Sequence, residues 1–308
     1  MMTIRYGVIG TGALGGFYGG LLARAGQEVH FLFRSDYRHV IKYGLQVDSV
    51  NGDFHLNDVK AYSSTKDMPV CDFILVCMKT TGNHTLPELI KPLLHPKSVV
   101  ILLQNGLGLE EDLSAQLPDV AIAGGLAFIC SVKVGQGHIK HLDFGKLIIG
   151  SYNVPDQEVL KQVVSDFQQT GIHAEHAPDL KLARWQKLAW NIPFNGMTVV
   201  LNTTTDRLMA NEYTLQLSLE LMLEVINGAN ACGVDLKESL AQQMIDMTIQ
   251  MKPYAPSMKL DYDHRRPLEI EYIYSRPIQI AKDAGFSMSK VSVLEKQLRY
   301  IEAYRQEQ

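Results

Sequence analysis

Long apolar runs are missing from the sequence. In 308 residues there is no apolar run of the roughly 18 residues that a membrane-spanning helix needs. The N-terminal residues read as a strand at once, without the basic and then apolar stretches of a signal peptide. The 29 Lys and Arg residues nearly balance the 33 Asp and Glu residues, so the formal net charge of −4 gives no general attraction to polyanions. We therefore expect neither a membrane nor a nucleic acid as a partner.

Cysteine is also scarce. The four cysteines form no CxxC pair and no spacing typical of metal ligands; they are Cys71, Cys77, Cys130 and Cys232. This usage predicts reduced thiols, a cytoplasmic protein and no metal site. An apolar content of 46% and a charged content of 20% are typical of a folded chain and exclude a disordered one. The length predicts about two domains.

The first half of the sequence alternates short apolar runs with helical patterns, which predicts a parallel sheet with crossover helices. The predicted strands cover residues 4–9, 28–34, 73–77 and 99–103, with a helix over residues 13–25. The last two strands are continuously apolar, as in strands that are buried on both faces. Within residues 44–62, an Asn51-Gly52 pair predicts a two-residue hairpin turn.

After Pro178 the pattern becomes helical, with amphipathic stretches at residues 213–231, 236–250, 269–284 and 291–304. We therefore predict an α/β protein with two domains. Residues 1–177 form a Rossmann-type, doubly wound nucleotide-binding domain, and residues 178–308 form an all-helical domain that binds substrate. The long helices of the second domain leave a homodimer open.

A glycine-rich loop connects the first predicted strand to the first helix. Its GxGxxG residues are Gly10, Thr11, Gly12, Ala13, Leu14 and Gly15. In such a loop the glycines permit a tight turn and close approach of a pyrophosphate, which the free amides of the helix start then bind. This position favours a dinucleotide site over a tight turn that holds no ligand.

The end of the second strand indicates which dinucleotide is bound. NAD-binding chains usually carry an acidic residue there for the ribose hydroxyls, whereas this chain carries Arg34. A guanidinium can hold a 2′-phosphate through paired hydrogen bonds, so the pattern favours NADP(H). The alternative is a surface arginine with no ligand. Lys79 and Asn105 follow two further strands, at the edge of the sheet where ligands bind in such folds.

A polar stripe marks residues 185–195 of the second domain. Lys187, Asn191 and Asn195 are four residues apart, so one helix face presents a lysine and two amides. Pro193 cannot donate to the carbonyl of Ala189, which predicts a kink or a local opening. The alternative is a satisfied polar seam between domains.

These motifs together resemble the ketopantoate reductase (2-dehydropantoate 2-reductase) family nearly from end to end. The resemblance includes the glycine loop, Arg34, Met78-Lys79, Gln104-Asn105-Gly106, residues 185–195, Pro256-Ser257-Met258 with Asp261, and Glu269-Ile270-Glu271. It implies NADPH-dependent reduction of 2-dehydropantoate, a 2-oxo acid, to (R)-pantoate in pantothenate and coenzyme A biosynthesis.

The resemblance also implies roles for individual residues. In the second domain, Lys187 is the general acid, and Asn191, Asn195 and Ser257 bind the substrate. Glu269 borders the nicotinamide ribose and supports the lysine.

The implied cofactor contacts of the first half are fewer. Arg34 and Lys79 hold the adenosine phosphate, Asn105 lies where cofactor and substrate meet, and Cys130 contacts the cofactor through its backbone.

Three positions depart from the family pattern. Leu268 precedes Glu269 where members commonly carry Thr, Tyr254 stands where Asn is often found, and Thr205 lies where another Asn is usual. A reductase of a different 2-oxo or 3-hydroxy acid therefore stays open, as does a non-catalytic NADP(H)-binding regulator. Burial lowers the pKa of a lysine and a neighbouring glutamate raises it, and the sequence leaves the balance at Lys187 open.

Overall fold

The computed structural model describes residues 4–253 and 255–306, and the chain divides into two compact units. The first unit contains the residues up to Gln104 together with Leu109–Leu180. The second contains Asn105–Gly108 and the residues from Lys181 onward. The predicted domain boundary at Ala177 and Pro178 lies beside Leu180, where the first unit ends.

Strands form the centre of the first unit. In the described part of the chain they are β1 (Arg5–Ile9), β2 (Glu28–Leu32), β3 (Leu45–Ser49), β4 (Phe54–Leu56), β5 (Lys60–Tyr62), β6 (Phe73–Val76), β7 (Val99–Leu102), β8 (Ala121–Gly135), β9 (His138–Ser151) and β10 (Ala174–Ala177). They form one sheet in the order β4-β3-β9-β8-β7-β6-β1-β2-β5, with β10 paired to β9. In the part of this order that runs β8-β7-β6-β1-β2-β5, each strand is parallel to its neighbour. This arrangement confirms the predicted doubly wound fold.

Helices cover the sheet and build the second unit. They are α1 (Ala13–Arg24), α2 (Tyr37–Tyr43), α3 (Leu86–Ile90), α4 (Leu109–Gln116), α5 (Glu158–Gln169), α6 (Leu180–Val200), α7 (Thr205–Met209), α8 (Glu212–Ala231), α9 (Ser239–Gln250), α10 (Ser257–Asp263), α11 (Arg276–Asp283) and α12 (Ser289–Gln306). Each unit has its own buried apolar cluster, centred on β1, β6 and β7 in the first and on α6 and α8 in the second. Within the described ranges, no helix combines the length and the apolar character needed to cross a bilayer.

The predicted two-residue hairpin turn is wrong in its register. Strands β3 and β4 do pair as a hairpin, but Val47 lies opposite Phe54, so the connection is longer than the Asn51-Gly52 pair. Side chains explain the longer loop, because the Ser49 backbone N–H donates to Asp53 Oδ1 at 2.7 Å. Gly52 still provides the left-handed turn residue, with φ of +109°. Strand β5, which follows the hairpin in the chain, pairs with β2.

The helix predicted over residues 269–284 is interrupted. A π-helical turn covers Glu271–Ser275, and the regular helix α11 starts only at Arg276. Pro277 has no N–H for the carbonyl of Ile273, which disfavours regular α-helical bonding at this point. In contrast, α6 remains helical across Pro193, so the predicted opening does not interrupt it.

Candidate functional site

The glycine loop has the geometry of a phosphate-binding turn. Gly10 has φ of +92°, and a Cβ there would overlap the backbone nitrogen of Met78. A Cβ at Gly15 would come within 2.5 Å of the Gly10 carbonyl oxygen, so α1 packs tightly on β1. At Gly12, in contrast, no described atom lies within 4 Å of a Cβ position. The loop is therefore sterically closed towards the sheet at Gly10 and Gly15 and open at Gly12.

The other loop residues hold this turn in place. The Thr11 hydroxyl donates to the carbonyl of Leu32 at 2.9 Å, which joins the loop to the end of β2. Ala13 begins α1, and Leu14 packs on the core of the first unit. The residue at the start of α1, Gly12, has no side chain that could cap the helix, which leaves the first amides of α1 available to an anion.

Parallel strands bring two cations to this same edge. Strand β1 lies between β6 and β2, so the segments after β6 and β2 both follow strand ends next to the glycine loop. Arg34 follows β2, Lys79 follows β6, and both residues are exposed. Cys130 is buried within β8, where it lies opposite Asp143 of β9.

In the second unit, helix α6 carries the predicted polar stripe. Asn191 and Asn195 are 6% and 2% exposed, whereas Lys187 is intermediate in exposure. The aromatic neighbours support this helix: Trp185 is fully buried, and the Trp190 indole N–H donates to Thr248 of α9 at 3.0 Å. The three polar side chains are thus held on a rigid, packed helix.

Desolvation dominates the electrostatics of Lys187, although the residue as a whole is only partly buried. Desolvation and then the charge of Arg184 lower the pKa of Lys187 to about 7, and the charge of Glu269 opposes them. Glu269 is itself buried, at 4% exposure, and lies close enough for its charge to act on the lysine. The effect of burial on the pKa of Lys187 therefore outweighs that of Glu269, a balance that the sequence left open. The lysine exchanges its proton near neutral pH.

Arg184 is a residue that sequence reasoning missed. It precedes Lys187 by three positions on α6, so the two cations share a helix face, and it is only 3% exposed. The i, i+3 spacing was readable in the sequence, but the burial that makes its charge effective was not. Arg184 contributes to the lowered pKa of Lys187.

A hydrogen bond accepted by Asn195 brings the start of α10 to this helix. The Asn195 Oδ1 accepts from the backbone N–H of Met258 at 3.1 Å, in the first turn of α10. Ser257, the first residue of α10, is therefore held next to Asn195. Asn195 thus has a structural role as a cap in addition to the predicted contact with substrate.

The loop Asn105–Gly108 joins the same unit. The Leu107 backbone N–H donates to the carbonyl of Tyr272 at 2.9 Å, and a Cβ at Gly106 would come within 2.6 Å of the Tyr272 Cβ. Asn105 Oδ1 is buried, with no hydrogen-bond partner among the described residues. An amide oxygen in this state is ready to accept from a bound ligand.

The second unit thus holds the six residues that the resemblance assigns to substrate or catalysis: Asn105, Lys187, Asn191, Asn195, Ser257 and Glu269. Of the three departures from the family pattern, Thr205 and Leu268 are buried, at 1% and 5% exposure. Tyr254 lies outside the described residues.

Comparisons with known proteins identify the family of the chain. A family model described as "Ketopantoate reductase PanE/ApbA" matches residues 6–154, and the model of the C-terminal region of that family matches residues 179–302. A 2-dehydropantoate 2-reductase of Nostoc sp. is 47% identical over 97% of this chain and 95% of its own length.

Solved structures extend the likeness to the whole fold. A structure of 2-dehydropantoate 2-reductase from Geobacter metallireducens has a TM-score of 0.94 at 39% identity, covering 96% of this chain and 99% of that one. D-mandelate dehydrogenase, solved with NADH and anilino(oxo)acetate, has a TM-score of 0.89 over 98% of this chain and 100% of that one. At 19% identity, this second likeness shows the fold alone. From the two family models and the Nostoc relative, the chain belongs to the ketopantoate reductase family.

Proposed function

We propose that the protein reduces 2-dehydropantoate to (R)-pantoate with NADPH. The observation that supports this activity best is Lys187, whose pKa is lowered to about 7 within the charge range of the buried Glu269. A lysine in this state carries a transferable proton at neutral pH, as carbonyl reduction requires. Membership of the ketopantoate reductase family supplies the substrate class.

A nicotinamide dinucleotide fits the first unit. The open side of Gly12 and the uncapped amides of α1 suit a pyrophosphate, and the exposed Arg34 and Lys79 suit an adenosine phosphate. When bound, the reduced cofactor supplies the hydride for the substrate carbonyl carbon. Arg34 in place of an acidic residue favours NADPH over NADH. Residues 1–177 would thus serve the cofactor, with Cys130 contacting it through the backbone.

Lys187 would serve the carbonyl oxygen. Its ammonium group stabilises the negative charge that develops on this oxygen and donates a proton from Nζ to form the hydroxyl. The neutral amine then regains a proton from water. Glu269, whose charge raises the pKa of Lys187, keeps part of the lysine population protonated against the effect of burial.

The amides and the hydroxyl would hold the substrate in place. Asn105, Asn191, Asn195 and Ser257 offer neutral donors and acceptors, which suit a substrate with both a carboxylate and a hydroxyl group. Residues 178–308 would thus serve substrate binding and catalysis, in a cytoplasmic enzyme that acts alone or as a homodimer.

The direct test is a turnover assay with NADPH and a panel of 2-oxo acids. We expect kcat/KM to be highest for 2-dehydropantoate. A higher value for another 2-oxo acid, or for oxidation of a 3-hydroxy acid with NADP⁺, would assign the enzyme to that substrate instead. Cofactor binding without turnover of any compound would indicate an NADP(H)-binding regulator.

Cofactor preference tests the role of Arg34. A charged, paired phosphate contact contributes about 1.5–3 kcal/mol, so Arg34→Ala is expected to raise the KM for NADPH roughly tenfold to a hundredfold. The KM for NADH should change little, because NADH has no 2′-phosphate. Arg38→Ala, at another exposed arginine four residues further along the chain, is the matched control. Equal use of NADPH and NADH by the unmutated protein would contradict this assignment.

The pH dependence tests the role of Lys187. Since reduction needs the ammonium form, kcat/KM for reduction should fall about tenfold per pH unit well above pH 7. The rate of pantoate oxidation, which needs the neutral amine, should increase as the pH rises towards 7. Between about 7 and the ordinary value of 10.5, the unfolded chain binds one more proton at this lysine than the folded chain. Lys187 therefore makes the free energy of unfolding rise with pH in that window. A reduction profile that stays level to pH 9 would exclude this acid.

A further inference from the structure

A buried carboxylate lies two residues after Arg34. Asp36 is 3% exposed, at the N-terminal end of α2, yet its side chain does not cap that helix. Its Oδ2 instead accepts from Lys133 Nζ at 2.6 Å and from the Gly137 backbone N–H at 3.0 Å. Its Oδ1 accepts from the Ser35 hydroxyl at 2.8 Å. All of these contacts lie within the first unit.

The partners of Asp36 come from a distant part of the chain. Lys133 is in β8, and Gly137 is in the turn that leads to β9. This turn packs closely on α2, since a Cβ at Gly137 would lie 3.0 Å from both the Val40 side chain and the Gly44 carbonyl oxygen. The β8–β9 turn is therefore positioned to hold the segment that carries Arg34.

The charge of Lys133 matters as much as its position. Burial by itself would raise the pKa of Asp36, but Lys133, Gly137 and Ser35 more than offset it and hold the pKa below its ordinary value. Asp36 is thus an anion at neutral pH, two residues from the arginine that reads the 2′-phosphate. Without a partner, such a charge repels a phosphate at that arginine. When the carboxylate is paired with Lys133, the two opposite charges together exert little net electric field on a phosphate at Arg34.

We propose that Lys133 is a specificity-determining positioning residue, which neutralises Asp36 so that the Arg34 segment accepts a 2′-phosphorylated dinucleotide. The inference rests on the proposed use of NADPH and deepens it. It assigns part of the cofactor preference to the ion pair between Asp36 and Lys133 of β8. In a chain with Arg34 but no cation at position 133, the buried acid would weaken the preference for NADPH.

The test is direct titration of the purified protein with NADPH and with NADH, which does not depend on the identity of the substrate. We expect Lys133→Met to raise the Kd for NADPH about five- to tenfold and to leave the Kd for NADH within about twofold. Lys133→Arg, which keeps the charge, should retain the unmutated ratio of the two Kd values. Lys146→Met is the matched control, because it removes a 2.7 Å ion pair with Glu175 from the neighbouring strand β9.

The double variant Lys133→Met/Asp36→Asn separates charge from anchoring. If Lys133 acts by neutralising Asp36, removing both charges restores the unmutated preference, even though the ion pair is still missing. Equal weakening of both dinucleotides by Lys133→Met, or no rescue in the double variant, would overturn the inference and leave the pair purely structural. An unmutated protein that binds both dinucleotides equally overturns the NADPH assignment itself, which the first titration already reveals.

Discussion

Lys187→Ala is expected to lower kcat by about 10²–10⁴-fold, the range typical for loss of a positioned general acid, while NADPH still binds. Among the residues placed at the site, Lys187 combines a positive charge with a proton that leaves near neutral pH, since its pKa is about 7. Lys187→Arg should not rescue activity, because a guanidinium hardly releases its proton. Stopped-flow measurement of NADPH oxidation, with separate titration of NADPH, distinguishes the chemical step from binding.

Two further variants make this test specific. Lys181→Ala removes an exposed lysine from the same helix, where its Nζ donates to the Cys232 carbonyl at 2.7 Å, and should leave kcat near normal. Glu269→Gln should slow turnover, and its combination with Lys187→Ala should be less than additive, because the two residues act as a unit. Folded Lys187→Ala with kcat within threefold of the unmutated protein would refute the mechanism and leave a merely structural lysine.

The second large effect is expected at the glycine loop. In Gly10→Ala, the new Cβ would overlap the Met78 backbone in a left-handed conformation that costs roughly 1–3 kcal/mol, so β1 and the segment after β6 must separate. We expect a lower Tm and a loss of NADPH affinity of about a hundredfold or more. In Gly12→Ala, the methyl group meets no described atom within 4 Å, so Tm should stay nearly unchanged while NADPH affinity falls at least about tenfold.

Gly26→Ala controls for the backbone strain. Gly26 has φ of +89° in the same unit, but no described atom lies within 4 Å of its Cβ position. Its replacement should lower Tm modestly and leave the Kd for NADPH unchanged. If Gly12→Ala binds NADPH as tightly as the unmutated protein, the open side of the loop does not receive the pyrophosphate.

Local patterns were sufficient for the first strands of the first unit but did not predict β8, β9 or β10. The bounds of β1, β6 and β7 were predicted to within one residue. For β6 and β7 the reason is that a continuous apolar run between turns indicates burial on both faces. The loop that starts at Gly10 was also readable, since its function depends on the absence of side chains at fixed spacing. The turn after β3 was not, because the Asp53 carboxylate accepts from the Ser49 backbone N–H, and this bond overrides the preference of the Asn-Gly pair.

The candidate site depended more on contacts between distant residues. The stripe on α6 was readable from four-residue spacing, and so was the competition of burial and charge at Lys187. The burial of Arg184 and the hydrogen bond from the Met258 backbone N–H to Asn195 were not, because both depend on tertiary packing. The attachment of Leu107 to Tyr272 joins positions 165 apart, and no local pattern encodes it.

The hydrogen bond between Leu107 and Tyr272 limits how domains can be exchanged between homologous proteins. Leu107 belongs to the apolar cluster of the second unit, although it lies between two stretches of the first. A chimera that replaces only the residues after Leu180 would leave a loop shaped for the original helices, with Leu107 and Gly106 facing a foreign counterpart of Tyr272. Transferring Asn105–Gly108 together with the helical part would keep the pair matched. The second unit is therefore encoded in two separate pieces of the gene, one of them only four codons long.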